Sequence, residues 1–120
     1  MKYHINESEY RFMCIVWDTE PVNSTELAKL CANRLGWKKS TTYTVIRNLC
    51  KKHIISNENA VVKSLVSRKS MQVQESHDFL EKRFHGSLPA FITAFLEGKK
   101  LTRDEAEYIQ KLIDNAVEDK

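Results

Sequence analysis

The side chains with the clearest chemistry lie between Trp37 and His53, in the stretch WKKSTTYTVIRNLCKKH. If this stretch is a helix with a period of about 3.6 residues, its apolar face consists of Thr42, Val45, Ile46 and Leu49. The opposite face carries the ammonium, guanidinium and hydroxyl groups of Lys39, Ser40, Tyr43, Thr44 and Arg47. Groups of these kinds donate hydrogen bonds to phosphate oxygens and to base edges. The pattern is typical of a helix that enters the major groove of DNA.

The charge around this stretch favours the same interpretation. Residues 27–57 contain seven Lys or Arg and no Asp or Glu, so the segment attracts a polyanion before any specific contact forms. Residues 1–66 carry 10 basic and 6 acidic side chains, a net charge of +4, whereas residues 67–120 carry 9 and 10, a net charge of −1. The alternatives are a basic face that is only solvated and a face that docks an acidic protein.

Individual roles follow from the geometry of the side chains. Arg47 is the expected guanine contact, because its guanidinium can donate two bonds to O6 and N7. Thr41 and Thr44 are expected to meet thymine methyl groups or phosphates. Two alternatives stay open: Tyr43 can pack its ring on a neighbouring element, and Ser40 and Thr41 can cap the helix from its first turn. Four lysines are expected to lend charge near phosphates: Lys38, Lys51, Lys52 and Lys63. The full set predicted to bind DNA is Lys38, Lys39, Ser40, Thr41, Tyr43, Thr44, Arg47, Lys51, Lys52 and Lys63.

Two helices are predicted to precede the basic one. Asn6 with Glu9, and Asn23 with Glu26, each have the spacing of a capping box, which predicts helices over about 7–18 and 24–35. Gly36 is a fitting C-terminal stop for the second helix. The apolar stripe of the first helix is predicted to consist of Tyr10, Met13, Cys14 and Trp17.

A short β-hairpin is predicted to follow the basic helix. Residues 54–57 and 60–65 are β-prone and flank the polar turn Glu58-Asn59. Trp37, at the other end of the basic helix, is expected to pack against the first two helices. Two helices, a basic helix and a hairpin follow the order of a winged helix-turn-helix, in which the third helix enters the major groove and the hairpin tip touches the adjacent backbone. Residues 1–66 are therefore expected to form a winged-helix DNA-binding domain.

Residues 67–120 are predicted to form three amphipathic helices. Ser67 can cap the first, a short apolar helix covers about 88–97, and residues 101–105 repeat the capping-box pattern and open the last. About fifty residues are too few to bury three apolar faces, so this half is expected to form a homodimer. The alternative is that it packs back on the winged helix of the same chain. The predicted dimer interface comprises Met71, Phe79, Leu80, Phe84, Leu88, Phe91, Ile92, Phe95, Leu96, Tyr108, Ile109, Leu112 and Ile113.

The fold class predicted is mostly α with a small β-hairpin: an N-terminal winged helix-turn-helix followed by a helical dimerisation arm over 67–120. The chain has 120 residues, 42% of them hydrophobic, and neither a membrane-length apolar run nor a secretory signal, so we expect a cytoplasmic protein without membrane insertion. Cys14, Cys31 and Cys50 are expected to be reduced. No nucleophile elbow, glycine-rich phosphate loop or paired-cysteine spacing is present, so neither catalysis nor a cofactor or metal is expected.

Several strings resemble the BlaI/MecI family of penicillinase and methicillin-resistance repressors, to which the copper-responsive CopY repressors are related. The segment from Ile5 to Trp17, INESEYRFMCIVW, is similar to the opening helix of the family, and residues 37–52 match its recognition-helix pattern. Residues 65–68 resemble the passage into the dimerisation arm. The most specific string is FHGSLPAFITAFL, from Phe84 to Leu96, which is close to the Gly-Ser-Leu segment and apolar helix of the family. The resemblance covers nearly the whole chain.

The resemblance implies a homodimeric transcriptional repressor whose winged helices each read half of a roughly palindromic operator. Members of the family keep β-lactamase or related genes silent until a membrane sensor detects an antibiotic, and repression ends when the apolar helix is cut between an Asn and a Phe. The matching positions here are Ala94 and Phe95, so the Phe is retained and the Asn is not. A sensor-activated protease is an implied partner, and a small-molecule effector in place of cleavage is the alternative. The cysteine motif of the copper branch is absent, since no cysteine follows Cys50.

Overall fold

The computed structural model describes residues 2–118, in which six helices and three short strands are formed. In chain order they are α1 (Glu7–Thr19), β1 (Val22–Asn23), α2 (Ser24–Leu35), α3 (Lys39–Lys51), β2 (Ile55–Glu58), β3 (Val61–Ser64), α4 (Arg68–Phe84), α5 (Leu88–Gly98) and α6 (Arg103–Ala116). The predicted fold, mostly helical with a small hairpin, is confirmed. None of the helices in this part of the chain is long and apolar enough to cross a membrane.

The chain divides into two compact units after Ser76, within α4. Met71 explains why the first turns of α4 belong to the first unit: its side chain is completely buried in the core of that unit. The sequence predicted this boundary after residue 66. Met71, which the sequence assigned to the dimer interface, is instead a core residue of the first unit.

The sheet has the order β1-β3-β2, with β3 antiparallel to both of its neighbours. Strands β2 and β3 form the predicted hairpin, but its two turn residues are Asn59 and Ala60 instead of the predicted Glu58 and Asn59, because Glu58 pairs with Val61. The φ angles of the two turn residues are 52° and 63°. Positive φ at both positions is the geometry of a tight hairpin turn that follows the twist of the strands. Strand β1 was not predicted, because a strand of two residues produces no alternating pattern.

Helix α1 begins as the sequence predicts, but the residues that it buries differ from the prediction. Asn6 Oδ1 accepts from the Glu9 amide at 2.8 Å and Glu9 Oε1 accepts from the Asn6 amide at 3.0 Å, which confirms the capping box. The predicted stripe holds in part: Met13 is buried, Tyr10 and Trp17 are half-buried and pack against the core, and Cys14 is half-buried. The apolar side chains that α1 buries in the core are Phe12, Met13, Ile15 and Val16. Almost every residue from Phe12 to Trp17 is apolar, so the periodicity alone could not select the buried face.

Both ends of helix α2 are fixed by local contacts. The Asn23 side chain accepts from the Thr25 amide at 2.8 Å, so the capping box predicted with Glu26 is wrong. The Ser24 amide donates to the Ala60 carbonyl at 2.8 Å, which ties the start of α2 to the hairpin turn. At the other end Gly36 has a φ of 70°, a left-handed conformation that glycine adopts without a Cβ clash, and the predicted stop is confirmed.

Trp37 packs where the sequence predicts. Its ring stacks on Phe12 of α1, with 6.0 Å between the ring centroids, and its amide donates to the Cys31 carbonyl of α2 at 3.3 Å. Trp17, in α1 itself, donates its indole N–H to the Val66 carbonyl at 2.9 Å, and its ring lies 5.4 Å from the guanidinium of Arg68. The two tryptophans thus link α1 to the segment that follows α2 and to the start of α4.

The second unit consists of the end of α4 followed by α5 and α6. Ser87 Oγ accepts from the Ala90 amide at 3.1 Å and Thr102 Oγ1 accepts from the Glu105 amide at 3.1 Å, so each of the last two helices has a hydroxyl cap. Four rings form a contiguous cluster with centroid distances of 5.4–6.1 Å: Phe79, Phe84, Phe91 and Phe95. Neither α5 nor α6 has a buried residue.

Candidate nucleic-acid interface

Helix α3 is held by one face in the core of the first unit. Its buried residues are Thr42, Ile46 and Leu49, three of the four positions that the sequence assigned to this face, and Val45 is half-buried. The residues immediately before the helix are fixed by the glycine cap of α2 and by the stacked ring of Trp37. The rotation of α3 about its axis is therefore determined by the core.

The outer face of α3 presents hydrogen-bond donors and no acid. Exposed side chains on this helix include Lys39, Ser40, Thr41, Thr44, Arg47 and Lys51. Thr44 Oγ1 donates to the Ser40 carbonyl at 3.0 Å and accepts from Arg47 Nη2 at 3.4 Å. Among residues 2–118 no carboxylate pairs with Arg47. Its guanidinium is thus positioned by a neutral hydroxyl and keeps its full positive charge at the surface.

The Ser and Thr residues at the start of α3 do not cap it. The cap position is Lys38, and no side chain makes a capping hydrogen bond there. Ser40 and Thr41 therefore remain exposed with hydroxyl groups that are not used by the helix terminus. Their availability for an external acceptor favours the interface interpretation over the capping alternative.

Tyr43 lies against α2, as its packing alternative describes. The side chain is half-buried and packs on the core, and Lys39 Nζ lies 5.9 Å from the centre of its ring. Hydrogen bonding to the hydroxyls of Thr25 and then Ser24 lowers the pKa of the Tyr43 phenol, with a smaller contribution from the charge of Lys39. This tyrosine joins the basic helix to the start of α2.

The lysines predicted to lie near phosphates fall into two groups. Lys38, Lys51 and Lys63 are exposed and make none of the ion pairs found in residues 2–118. Lys52 differs, because its ammonium is bound by the buried carboxylate of Glu9 at 3.0 Å. Its assignment as a phosphate contact is not supported by this placement.

Two residues that the sequence did not single out lie beside the basic helix. Thr25 and Lys29 of α2 line a shallow groove together with Ala28, Ala32 and Lys39. Lys29 belongs to the acid-free stretch 27–57, so the charge count was the signal that could have found it. The periodicity of one helix does not indicate which basic residues of a neighbouring helix lie beside it.

The cysteines and histidines do not form a second site in the part of the chain that is described. All three cysteines are free thiols, and burial raises the pKa of Cys31 and of Cys50. No group of three or more His, Cys, Asp or Glu residues among residues 2–118 is arranged to hold a metal ion.

The second unit presents a separate, apolar surface. Eight of its exposed large side chains belong to the predicted dimer interface: Phe79, Leu88, Ile92, Phe95, Leu96, Tyr108, Leu112 and Ile113. The other four residues predicted in this unit, Leu80, Phe84, Phe91 and Ile109, are half-buried. Exposed apolar side chains in this number are typical of an association surface.

Comparison with known proteins gives relatives over nearly the full length of the chain. The profile of the family described as penicillinase repressor matches residues 5–115. The methicillin resistance regulatory protein MecI of Staphylococcus aureus (strain Mu50 / ATCC 700699) is 25% identical over 115 residues, which cover 92% of this chain and 94% of that protein. The penicillinase repressor of Bacillus licheniformis is 22% identical over 114 residues, with 92% and 89% of the two chains covered.

The solved structures that match this chain include MarR-type regulators. A MarR/EmrR family transcriptional regulator from Acinetobacter sp. ADP1 superposes with a TM-score of 0.47 and 16% identity, over 92% of this chain and 72% of that one. Staphylococcus aureus MarR in complex with salicylate and kanamycin gives a TM-score of 0.48 and 12% identity, over 92% and 70%.

The contact between Tyr43 and α2 makes a testable prediction about titration. Replacing Thr25 by Val removes the hydrogen bond that contributes most to the lowered pKa of Tyr43, so this pKa should rise towards its ordinary value of 10.0. The absorbance change that comes from ionisation of the Tyr43 phenol is the difference between the ultraviolet pH titrations of the wild type and of Tyr43→Phe. The matched control is Thr41→Val, at an exposed threonine of α3, and it should leave the pKa of Tyr43 unchanged. An unchanged pKa of Tyr43 in Thr25→Val would contradict the contact.

Proposed function

This chain belongs to the penicillinase repressor family, and from that premise we propose that it is a homodimeric transcriptional repressor that binds operator DNA through α3. Its relatives carry the names of repressors and resistance regulators, which supports a role as a transcriptional repressor of the BlaI/MecI type. We also propose which residues contact the DNA, which surface forms the dimer and how the protein is released from DNA.

The observation that carries the proposal is the acid-free outer face of α3. Arg47 lies on this face, and its guanidinium, which is bonded only to the Thr44 hydroxyl in the described hydrogen bonds, can donate two bonds to guanine O6 and N7. Thr41 and Thr44 precede it with methyl and hydroxyl groups, and Lys38, Lys39 and Lys51 lie towards the two ends of the helix. Base readout is therefore assigned to the middle of α3 and phosphate contacts to its ends.

The hairpin of β2 and β3 is proposed to contact the backbone next to the groove. Lys63 is exposed on β3, and the turn residues Asn59 and Ala60 are tied to the start of α2 through the bond from Ser24. A wing held in this way moves together with the helix-turn-helix. We assign Lys63 to a phosphate, without a role in base recognition.

Dimerisation is proposed to occur through α5, α6 and the end of α4. Burial of the exposed apolar residues of this unit between two copies would stabilise a dimer by the hydrophobic effect. A dimer would bind the second half-site as an intramolecular event once the first is held, so operator affinity would depend on association. DNA binding could then be switched off without any change in α3.

Release is proposed to occur by proteolysis within α5. The bond between Ala94 and Phe95 lies in this helix, and both residues are exposed, Phe95 by 43%. Cutting there would separate α6 from the rest of the chain and divide the proposed interface. Because Ala94 stands where the family has Asn, we infer a protease specificity that differs from that of the typical family members. By analogy with the family, we propose that the signal that starts cleavage is a cell-wall antibiotic.

The proposal is tested by operator binding of an Arg47 variant. Arg47→Ala should lose roughly 1–3 kcal/mol of discrimination for a specific site while retaining nonspecific binding. The measurement is fluorescence anisotropy with the promoter fragment upstream of the chain's own gene, at two salt concentrations and with excess nonspecific duplex. Arg11→Ala, an exposed arginine of α1, is the control and should bind as the wild type does. Specific binding that survives in Arg47→Ala would contradict the assignment.

The dimer is tested by a charge placed in the apolar surface of α6. Leu112→Lys puts an ammonium at a side chain that is 51% exposed and proposed to be buried between subunits, so the dimer should dissociate. Sedimentation equilibrium should give a monomer, and operator affinity should fall with it. Asn115→Lys adds the same charge to another exposed position of α6 and should remain a dimer. A wild-type chain that is monomeric at micromolar concentration would refute this part of the proposal.

A further inference from the structure

Lys52 follows the last residue of α3 and is bonded within its own unit. Its Nζ lies 3.0 and 3.2 Å from the two carboxylate oxygens of Glu9 and 2.9 Å from the carbonyl oxygen of His4. Residue Glu9 is only 6% exposed. The side chain of Lys52 is 42% exposed, so one partner of the pair is in contact with water and the other is buried. Loss of the lysine would leave the buried carboxylate without its cationic partner, which makes this contact a local constraint on the fold.

Glu9 links this lysine to the start of α1. The same oxygen that binds Lys52 also accepts the Asn6 amide at 3.0 Å, as one half of the capping box. The carboxylate therefore joins two helix ends that are distant in sequence, since Lys52 follows Glu9 by 43 residues. Neither end can shift without lengthening a charge-assisted hydrogen bond.

Residues 3–6, which we name the N-terminal strap, extend this link to α4. The Tyr3 amide donates to Gln74 Oε1 at 2.8 Å, and Gln74 Nε2 donates back to the Tyr3 carbonyl. His4 contributes the carbonyl bonded by Lys52, and Asn6 caps α1. The strap is thus bonded to the end of α3, the start of α1 and α4.

The end of α3 needs such a constraint, because the chain reverses immediately after it. Lys52 is the C-terminal cap of the helix, and His53 has a φ of 61°, in the left-handed region that a histidine rarely adopts. The Ile54 amide then donates to the Leu49 carbonyl at 3.0 Å, and the chain enters β2. Arg47 and Lys51 lie in the last two turns before this reversal, so the position of the helix end decides where they point.

We propose that Lys52 and Glu9 form a clamp that positions the C-terminal end of α3, and that Lys52 supports operator binding through this placement and not through a phosphate. Lys52 is thus a positioning residue. The proposal rests on the proposed function, because it concerns the helix that binds the operator. It predicts a different salt dependence of DNA binding for the loss of each of the two lysines at this end of the helix, Lys51 and Lys52.

The salt dependence of DNA affinity distinguishes a positioning residue from a residue that contacts a phosphate. A lysine that neutralises a phosphate releases a counterion, and its loss makes the plot of log affinity against log salt shallower by about 0.9. A clamp residue changes affinity without changing that slope. Glu9 gives the sharper contrast: removal of a negative charge should strengthen DNA binding if only charge matters, whereas loss of the clamp should weaken it.

The experiment measures operator affinity against salt for the full-length chain and four variants. Lys52→Met and Glu9→Gln should each weaken operator affinity by roughly tenfold, and the slope of log affinity against log salt should stay as in the wild type. A loss of this size is typical of the interaction energy between two residues in contact. Lys52→Arg keeps the ion pair and should restore affinity. Lys51→Met is the matched control, since this neighbouring lysine is exposed, and it should make the slope shallower by about 0.9.

The double variant Glu9→Gln/Lys52→Met guards against misfolding. It removes both charges together, so no unpaired carboxylate is buried, and its affinity should equal that of the single variants instead of showing two additive losses. Urea unfolding of each variant establishes that the assay is made on folded protein. A shallower slope in Lys52→Met, or a wild-type or higher affinity in Glu9→Gln, would overturn the clamp.

A failure of the proposed function would look different. If the wild type bound no operator, the clamp would still be tested by amide hydrogen exchange of residues 48–54. Exchange there should be faster in Glu9→Gln than in the wild type, because the end of α3 is released. Equal exchange rates in the two proteins would overturn the clamp independently of DNA.

Discussion

Burial of Thr42, Ile46 and Leu49 determines which side chains α3 presents to solvent. The helix turns by about 100° per residue, so a rotation by one position would bring Leu49 towards water and a polar residue into the core. Protein interiors are close-packed and do not absorb such a change without loss of stability. The contacts that stabilise the first unit are therefore the same contacts that direct Lys39, Thr44 and Arg47 outwards.

The two ends and the middle of α3 are fixed by different means. Before the helix, the glycine cap of α2 and the ring of Trp37 stacked on Phe12 set its starting point. In the middle, Tyr43 rests on the start of α2, where β1 and the hairpin turn also meet. After the helix, Lys52 is bonded to Glu9. An outer face held at three places can keep donors in fixed positions before DNA arrives, which reduces the entropy lost on binding.

Most of the fold could be predicted from the sequence, because it is encoded in local signals. The box of Asn6 and Glu9, the stop at Gly36 and the β-prone runs around the hairpin turn each depend on residues a few positions apart. The apolar face of α3 could also be predicted, since its other face is strongly polar. Helix α1 was harder, because a run of apolar residues leaves more than one face available for burial.

What could not be predicted depends on partners distant in sequence. Lys52 looks like its neighbour Lys51, and only the folded chain brings Glu9 to it. Met71 has the spacing of an arm residue, but it completes the core of the first unit. The strand β1 exists because β3 is beside it. The exposed apolar side chains of α5 and α6 follow from the sequence pattern, and their burial between two copies is the part of the account that involves a second chain.

The central claim is that α3 and the wing form the DNA-binding surface, and chemical-shift mapping of the labelled full-length chain with an operator duplex from its own promoter region tests it most directly. The account predicts the largest shifts in residues 38–51 and 59–63, whereas shifts confined to other parts of the chain would contradict it.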